Sequence, residues 1–181
     1  GLSHIPEDRQ KHGLVLGFSI RENMVLCTED WPKFRRGPFQ NRRAIVQYSE
    51  TSVHDYDIRC TNIEQTAQSL SGGNQQKVIL AREISRNPQF ILICQPTRGL
   101  DVGAIEYVHT QILQLRKLGC AILLISYELD EIMQLSDRIL TIYNGQITAN
   151  YRNGEVTSEQ IGLAMTGFSR TKNAEGGASN Q

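Results

Sequence analysis

Two short strings bring together residue types that can do chemistry. In LSGGNQQK, Leu70 to Lys77, a serine and two glycines stand where a helix can begin. Glycine lets backbone N–H groups approach an anion closely, and the positive end of the helix dipole lies behind them. The Ser71 hydroxyl adds a donor. A bare Ser-Gly-Gly is also an ordinary capped helix start, so this feature alone leaves both readings open. In FILICQPTRGLD, Phe90 to Asp101, an apolar run of strand length enters a turn containing Pro96 and Gly99. Such a strand end can deliver two carboxylates, one to a divalent cation and one to an attacking water. Here those places hold Cys94 and Gln95. A thiol is a poor, soft ligand for Mg²⁺. An amide can orient a water but cannot take its proton.

Periodicity and punctuation predict the elements that must position these residues. Leu2 to Ile5 has the look of a strand end, and Ser19-Ile20-Arg21-Glu22 has capping-box spacing, predicting a short helix over about 20–26. WPKFRRGPF is a loop broken by Pro32, Gly37 and Pro38. A helix over about 41–54 follows, with Ile45, Tyr48 and Val53 on its buried side. Ser71-Gly72-Gly73 opens a helix that runs to about 86, and Asn87-Pro88 ends it. From there strands and helices alternate: strand 89–94, helix 102–118 with Ile105, Val108, Ile112 and Leu115 at helical spacing, strand 120–126, helix 129–135 and strand 138–143. Gly119 suits the C-terminal stop of the second of these. Apolar strands alternating with helices predict a parallel sheet covered on both faces. Asn144-Gly145 is a two-residue hairpin signal that pairs 138–143 with 146–151. A last helix spans about 158–166, and SRTKNAEGGASNQ is too polar to pack.

The 181 residues suffice for one domain with a real core, or a core plus a small subdomain. Nineteen basic and nineteen acidic residues cancel, so no global field points to nucleic acid or an anionic membrane. The cluster Lys33, Arg35, Arg36, Arg42 and Arg43 reads as a solvated surface run. Cys27, Cys60, Cys94 and Cys120 show no metal-ligand spacing, and Cys94 and Cys120 read as buried thiols in a reducing, intracellular compartment. The four histidines form no ligand pair. No apolar run approaches the roughly 20 residues that span a bilayer.

Taken together, the two strings resemble the nucleotide-binding domain of ABC transporters. LSGGNQQK is similar to the signature motif. QPTRGLDVGA resembles the end of the Walker B strand with the D-loop, Gly99-Leu100-Asp101. LLISYELDEI resembles the switch-histidine region. IPEDRQKHGLVLGFSIREN is similar to the Q-loop region in the second ATPase half of ribose- and nucleoside-type importers, and QPTRGLDVGAIEY tilts the resemblance toward the nucleoside branch. It covers residues 1–167 and implies an α/β, P-loop NTPase-like parallel sheet flanked by helices, incomplete for want of the Walker A part, plus an α-helical subdomain. The expected division is 1–7 as the end of a core strand and the Q-loop region, 8–88 as the helical subdomain with the signature, 89–167 as the C-terminal part of the ATPase core, and 168–181 as a disordered tail.

The resemblance also assigns roles, and the departures from it matter. Ser71, Gly72, Gly73, Asn74, Gln75 and Asp101 are expected to bind ATP held on a partner nucleotide-binding half. No Gly-Lys dipeptide occurs, so the phosphate-cradling Walker A loop is absent from these residues and is expected upstream. Cys94 stands at the Walker B aspartate position, Gln95 at the general-base position, Tyr127 at the switch-histidine position and Glu7 at the Q-loop position. No metal ligand set is therefore expected, and ATP with Mg²⁺ is expected only in a full-length dimeric assembly. The resemblance implies a piece of a bacterial importer's ATP-binding subunit, taking nucleosides or simple sugars, on the cytoplasmic face of the membrane. Its partners would be the second half, transmembrane permease subunits and, indirectly, a substrate-binding protein, with no nucleic acid. The alternative is a non-catalytic regulatory or docking module for the transmembrane subunits. A ribosome- or DNA-repair-type ABC protein would need a strongly basic surface. The chain alone is expected to be inactive, its parent an ATPase.

Overall fold

A computed structural model of the chain describes residues 1–28 and 30–167. The polar tail 168–181, expected not to pack, lies outside the described residues. The chain divides into two compact units, Gly1–Tyr127 and a second that begins at Glu128.

In the first unit the chain forms β1 (Leu2–Ile5), α1 (Ile20–Val25), the two-residue strands β2 (Arg35–Arg36) and β3 (Phe39–Gln40), α2 (Arg42–Asp55), α3 (Gly72–Ile84), β4 (Phe90–Cys94), α4 (Val102–Lys117) and β5 (Ala121–Ile125). β4 is the middle strand of a parallel sheet in the order β1-β4-β5, with Leu2 opposite Phe90 and Phe90 opposite Ala121. Alternation decides which side chains are buried. Ser3, Ile5, Ile91 and Ile93 are buried, and the Ser3 hydroxyl donates to the Glu83 carbonyl at 3.0 Å, fastening β1 to α3. The intervening Leu2, His4 and Phe90 are exposed, and Leu123 and Ile125 of β5 are 47% and 46% exposed. The parallel sheet is flanked by helices as expected, and among the described residues one of its faces is buried while the other stays partly exposed. α3 packs on β1 and on α1, and its Val78, Ile79, Leu80 and Ala81 are all fully buried, as are Ile20 and Met24 of α1.

Local signals set the helix ends. Ser19 and Glu22 form the expected capping box of α1, Asn41 caps α2, Ser71 caps α3 and Asp101 caps α4. The loop between α1 and α2 is held by Phe34, fully buried with Val25 and Ile45 and flanked by Trp31 and Tyr48. The Phe34 ring stacks on Trp31 and meets Tyr48 edge-on, with centroids 5.9 and 5.0 Å apart. The Lys33 ammonium lies over all three rings, 4.2 to 4.9 Å from their centroids. Burial pushes its pKa down.

The second unit contains α5 (Leu129–Leu135), β6 (Arg138–Tyr143), β7 (Gln146–Arg152) and α6 (Ser158–Met165). β6 and β7 form an antiparallel pair of their own, joined at Asn144-Gly145, both with positive φ (+47° and +76°), the two-residue turn the sequence predicts. Among the described residues β6 pairs with β7, in an antiparallel ladder and not the parallel one that the alternation predicts. Its inner residue Ile139 packs with Val156 and Ile161, and Thr148 donates to the Ala164 carbonyl at 2.8 Å.

Candidate functional site

The head of α3 is shaped by Ser71. Its carbonyl accepts from the Gln75 amide at 2.9 Å, and its exposed hydroxyl accepts from the Asn74 side-chain amide at 2.9 Å. The Asn74 side-chain oxygen Oδ1 in turn accepts from the Arg59 backbone amide at 2.8 Å, so a neighbouring loop braces the turn. Helix geometry leaves the first amides, those of Gly72 and Gly73, without intrahelical acceptors. An exposed hydroxyl beside two such donors at the positive end of a 13-residue helix suits an anion.

The structure divides the expected binding residues. Ser71, Gly72, Gly73 and Asn74 stay together at the turn. Gln75 does not join them: it is 2% exposed, donates to the Ala67 carbonyl at 3.1 Å and accepts from the Gln10 side chain at 3.1 Å. It is a strut inside the unit. Asp101 is adjacent, because α4 starts against α3. A Cβ on Gly73 would stand 3.1 Å from the Ala104 Cβ and 3.8 Å from Asp101 Oδ2. Two helix starts thus pack closely here, and a side chain at Gly73 would need Ala104 to give by a few tenths of an ångström, a constraint that sequence spacing does not reveal. The other Asp101 oxygen accepts from the Ala104 amide at 2.9 Å.

At the end of β4, Gln95 is 7% exposed and adopts φ +47°, a conformation that costs a non-glycine residue about 1–2 kcal/mol. Its amide donates to the Ile125 carbonyl at 2.8 Å, and its side-chain oxygen accepts from the Tyr127 amide at 3.4 Å, while Nε2 is buried without a partner. Tyr127 thus reaches Gln95 by backbone, and the residue as a whole is 72% exposed. Cys94 is half-buried, as is Cys120, so neither is the fully buried thiol that its apolar neighbours imply. Burial, with the Glu7 charge second, pushes the Cys94 thiol pKa up. Glu7 forms an ion pair with Arg98.

This donor set does not fit Mg²⁺. It consists of a protonated thiol, an amide already accepting a backbone hydrogen bond and a carboxylate engaged by a guanidinium. The turn at Ser71, by contrast, fits a phosphate group.

Sequence reasoning missed Arg9. It lies in IPEDRQKHG, but its partners are on the turn after β4 and at the head of α3. No periodic or motif signal links segments so far apart.

No protein-family model matches the chain. It is similar over 167 residues, at 46% identity, to the guanosine import ATP-binding protein NupO of Bacillus subtilis, covering 92% of this chain and 33% of that protein. The nucleoside import ATP-binding protein NupA of Lactococcus lactis is 45% identical over 166 residues, with the same two shares covered. The ribose import ATP-binding protein RbsA of Bacillus cereus is 35% identical over 166 residues, again 92% of this chain and 33% of that one. The chain thus spans about a third of the length of the curated relatives it matches. Among solved structures, a dimeric post-hydrolysis state of the ATP-binding cassette MJ0796 bound to ADP and Pi superposes with a TM-score of 0.64 at 18% identity, over 83% of this chain and 62% of that one.

Proposed function

We propose, from the premise that this chain is homologous over 92% of its length to nucleoside and sugar import ATP-binding proteins and has the fold of an ATP-binding cassette, that it serves an importer's ATPase by presenting Ser71, Gly72, Gly73 and Asn74 to a nucleotide held on a second nucleotide-binding half. The observation that carries this reading is the head of α3, where the exposed Ser71 and two amides without intrahelical acceptors stand together on a braced turn. Bound ATP supplies the phosphate chain; the hydroxyl of Ser71 and the amides of Gly72 and Gly73 bind and orient it. Asp101 fixes the start of α4 behind them.

The chain's own side is degenerate in this reading. Cys94 replaces a hard oxygen ligand, and Gln95 holds the Tyr127 amide instead of removing a proton. The two relatives of highest identity given above carry guanosine and nucleoside in their names, which favours nucleosides as the cargo. Permease subunits are the expected membrane partners, engaged through the exposed Val15 and Phe18 on the turn before α1. The substrate-binding protein acts through them, and the assembly sits on the cytoplasmic face of the membrane. No helix among the described residues is long and apolar enough to cross it.

The test is Ser71→Ala in the assembled importer, read as ATPase turnover and uptake in reconstituted vesicles. A lost donor at a preorganised site lowers turnover on the order of a hundredfold. Wild-type turnover and uptake in Ser71→Ala would sink the assignment. A docking module without a nucleotide role is the second reading, and Cys94 and Gln95 are what favour it. It is the outcome if both halves of that measurement are unchanged.

A further inference from the structure

We infer that Arg9 is a positioning residue that clamps the glycine turn at the head of α3 to the turn after β4, so that the two move as one. Its Nη1 donates to the Arg98 carbonyl at 2.8 Å. Its Nη2 fills the space beside Gly72: a Cβ there would stand 2.7 Å from Nη2 and 3.4 Å from Cζ. The same Nη2 lies 3.9 Å from the Cβ position of Gly99, whose φ is +67°. The guanidinium is therefore seated between a glycine of each turn. Its Nε is buried without a hydrogen-bond partner, so packing, not hydrogen bonding, accounts for the place of that atom.

The backbone holds Arg9 in place. Asp8 caps the π-helical turn Arg9–Gly13, its carboxylate accepting from the Gln10 and Lys11 amides at 3.0 Å each. Glu7 pairs with the Arg98 guanidinium. The segment from Glu7 to Arg9 thus grips Arg98 twice, once by its side chain and once by its carbonyl. A planar fork can press one nitrogen on Gly72 while another reaches Arg98; a lysine ammonium is a single point and cannot span both. A side chain at Gly72 would meet the far end of the Arg9 side chain, which would have to move aside.

This proposal rests on the reading that Ser71-Gly72-Gly73 faces a nucleotide on the second half. The clamp then ties that surface to the Cys94–Gln95 end of β4, on the chain's own degenerate side. Occupancy of one side is passed to the other through Arg9.

The experiment has two arms. Amide hydrogen exchange on the 181-residue chain reads the clamp directly. In Arg9→Gln, exchange rises about tenfold at residues 72–74 and at 98–100 together, with residues 78–80 of α3 unchanged. Gly72→Ala gives the same pattern by displacing the guanidinium, the double variant loosens no further than the larger single one, and Arg9→Lys does not restore protection. Loosening confined to one turn, additive effects in the double variant, or rescue by lysine would overturn the clamp. In the assembled importer, Arg9→Gln lowers kcat on the order of tenfold with KM within about twofold, because orientation is lost and binding is kept. An unchanged kcat with both turns loosened overturns the clamp's part in turnover. Failure of the nucleotide reading is separate and shows as wild-type activity in Ser71→Ala.

Discussion

At the scale of single residues, the end of β4 places a thiol and an amide, Cys94 and Gln95, side by side in the chain. Cys94 and Gln95 leave no group able to hold a hard cation or accept a proton from water, yet both remain structurally engaged. Gln95 joins the ends of β4 and β5 through Ile125 and Tyr127. Cys94 carries a testable consequence. Burial first, and the Glu7 charge second, raise its pKa above the ordinary 9.0, so its thiolate is scarce at neutral pH. Alkylation by iodoacetamide at pH 7.5, followed by peptide mass spectrometry, should modify exposed Cys27 first and Cys94 late. The Cys94 rate should rise from pH 7.5 upward and still be climbing, without a plateau, at pH 9. Rapid labelling of Cys94 at pH 7.5 would show a free thiolate there and refute the protonated state.

Among elements, α1 and the turn before it illustrate how a buried polar residue builds an exposed apolar surface. Asn23 is fully buried, accepting from the Val15 amide at 2.9 Å and donating to the Val15 and Ser19 carbonyls at 3.0 Å. These bonds curl residues 15–18 so that Val15 and Phe18 are 42% and 44% exposed. The capping box at Ser19 and Glu22 fixes the entry to the helix. If a permease subunit docks on this turn, a cysteine placed at Phe18 should cross-link to it efficiently in membranes. Adding Asn23→Ala should cut that yield severalfold, since buried backbone groups lose their partners at a cost of about 1–3 kcal/mol each. Cross-linking confined to a cysteine on β7 would move the docking surface elsewhere.

For the whole molecule, a set of carboxylates makes stability acid-sensitive. The side-chain hydrogen bond from Lys77 holds Asp57 below the ordinary 3.8, and that from Arg21 holds Glu64 below 4.5. The Ser19 hydroxyl does the same for Glu22, and the Lys11 amide for Asp8. Depressed folded pKa values mean that the unfolded chain binds more protons in acid. These contacts therefore stabilise the fold fully above the ordinary values and lose that contribution as pH falls through the folded ones. Urea midpoints should be level between pH 7 and 5.5 and drop below about 4.5. A midpoint that is higher at pH 3.5 than at pH 7 would contradict the sign. Exposure of these groups keeps each contribution small. A second expectation at this scale is that Mg·ATP titrated calorimetrically into the chain gives no micromolar binding, which would need about −8 kcal/mol.

Sequence alone determined the elements and the motif residues, because their causes are local. A capping box, an Asn-Gly turn and a Ser-Gly-Gly helix start act within a few residues, and α1, the β6–β7 hairpin and the head of α3 appear where those signals stand. The identities of Cys94 and Gln95, and hence the missing donor chemistry, are also plain in one dimension. The tertiary structure decided what depends on segments distant in the chain. It buried Gln75 as a strut, left one sheet face partly exposed among the described residues and paired β6 with β7. It set two glycines against distant side chains, Gly73 against Ala104 and Gly72 against Arg9. Side-chain periodicity reports which face of an element is apolar, but it carries no information on which distant atom comes to lie against it. That pairing is fixed only when the elements pack.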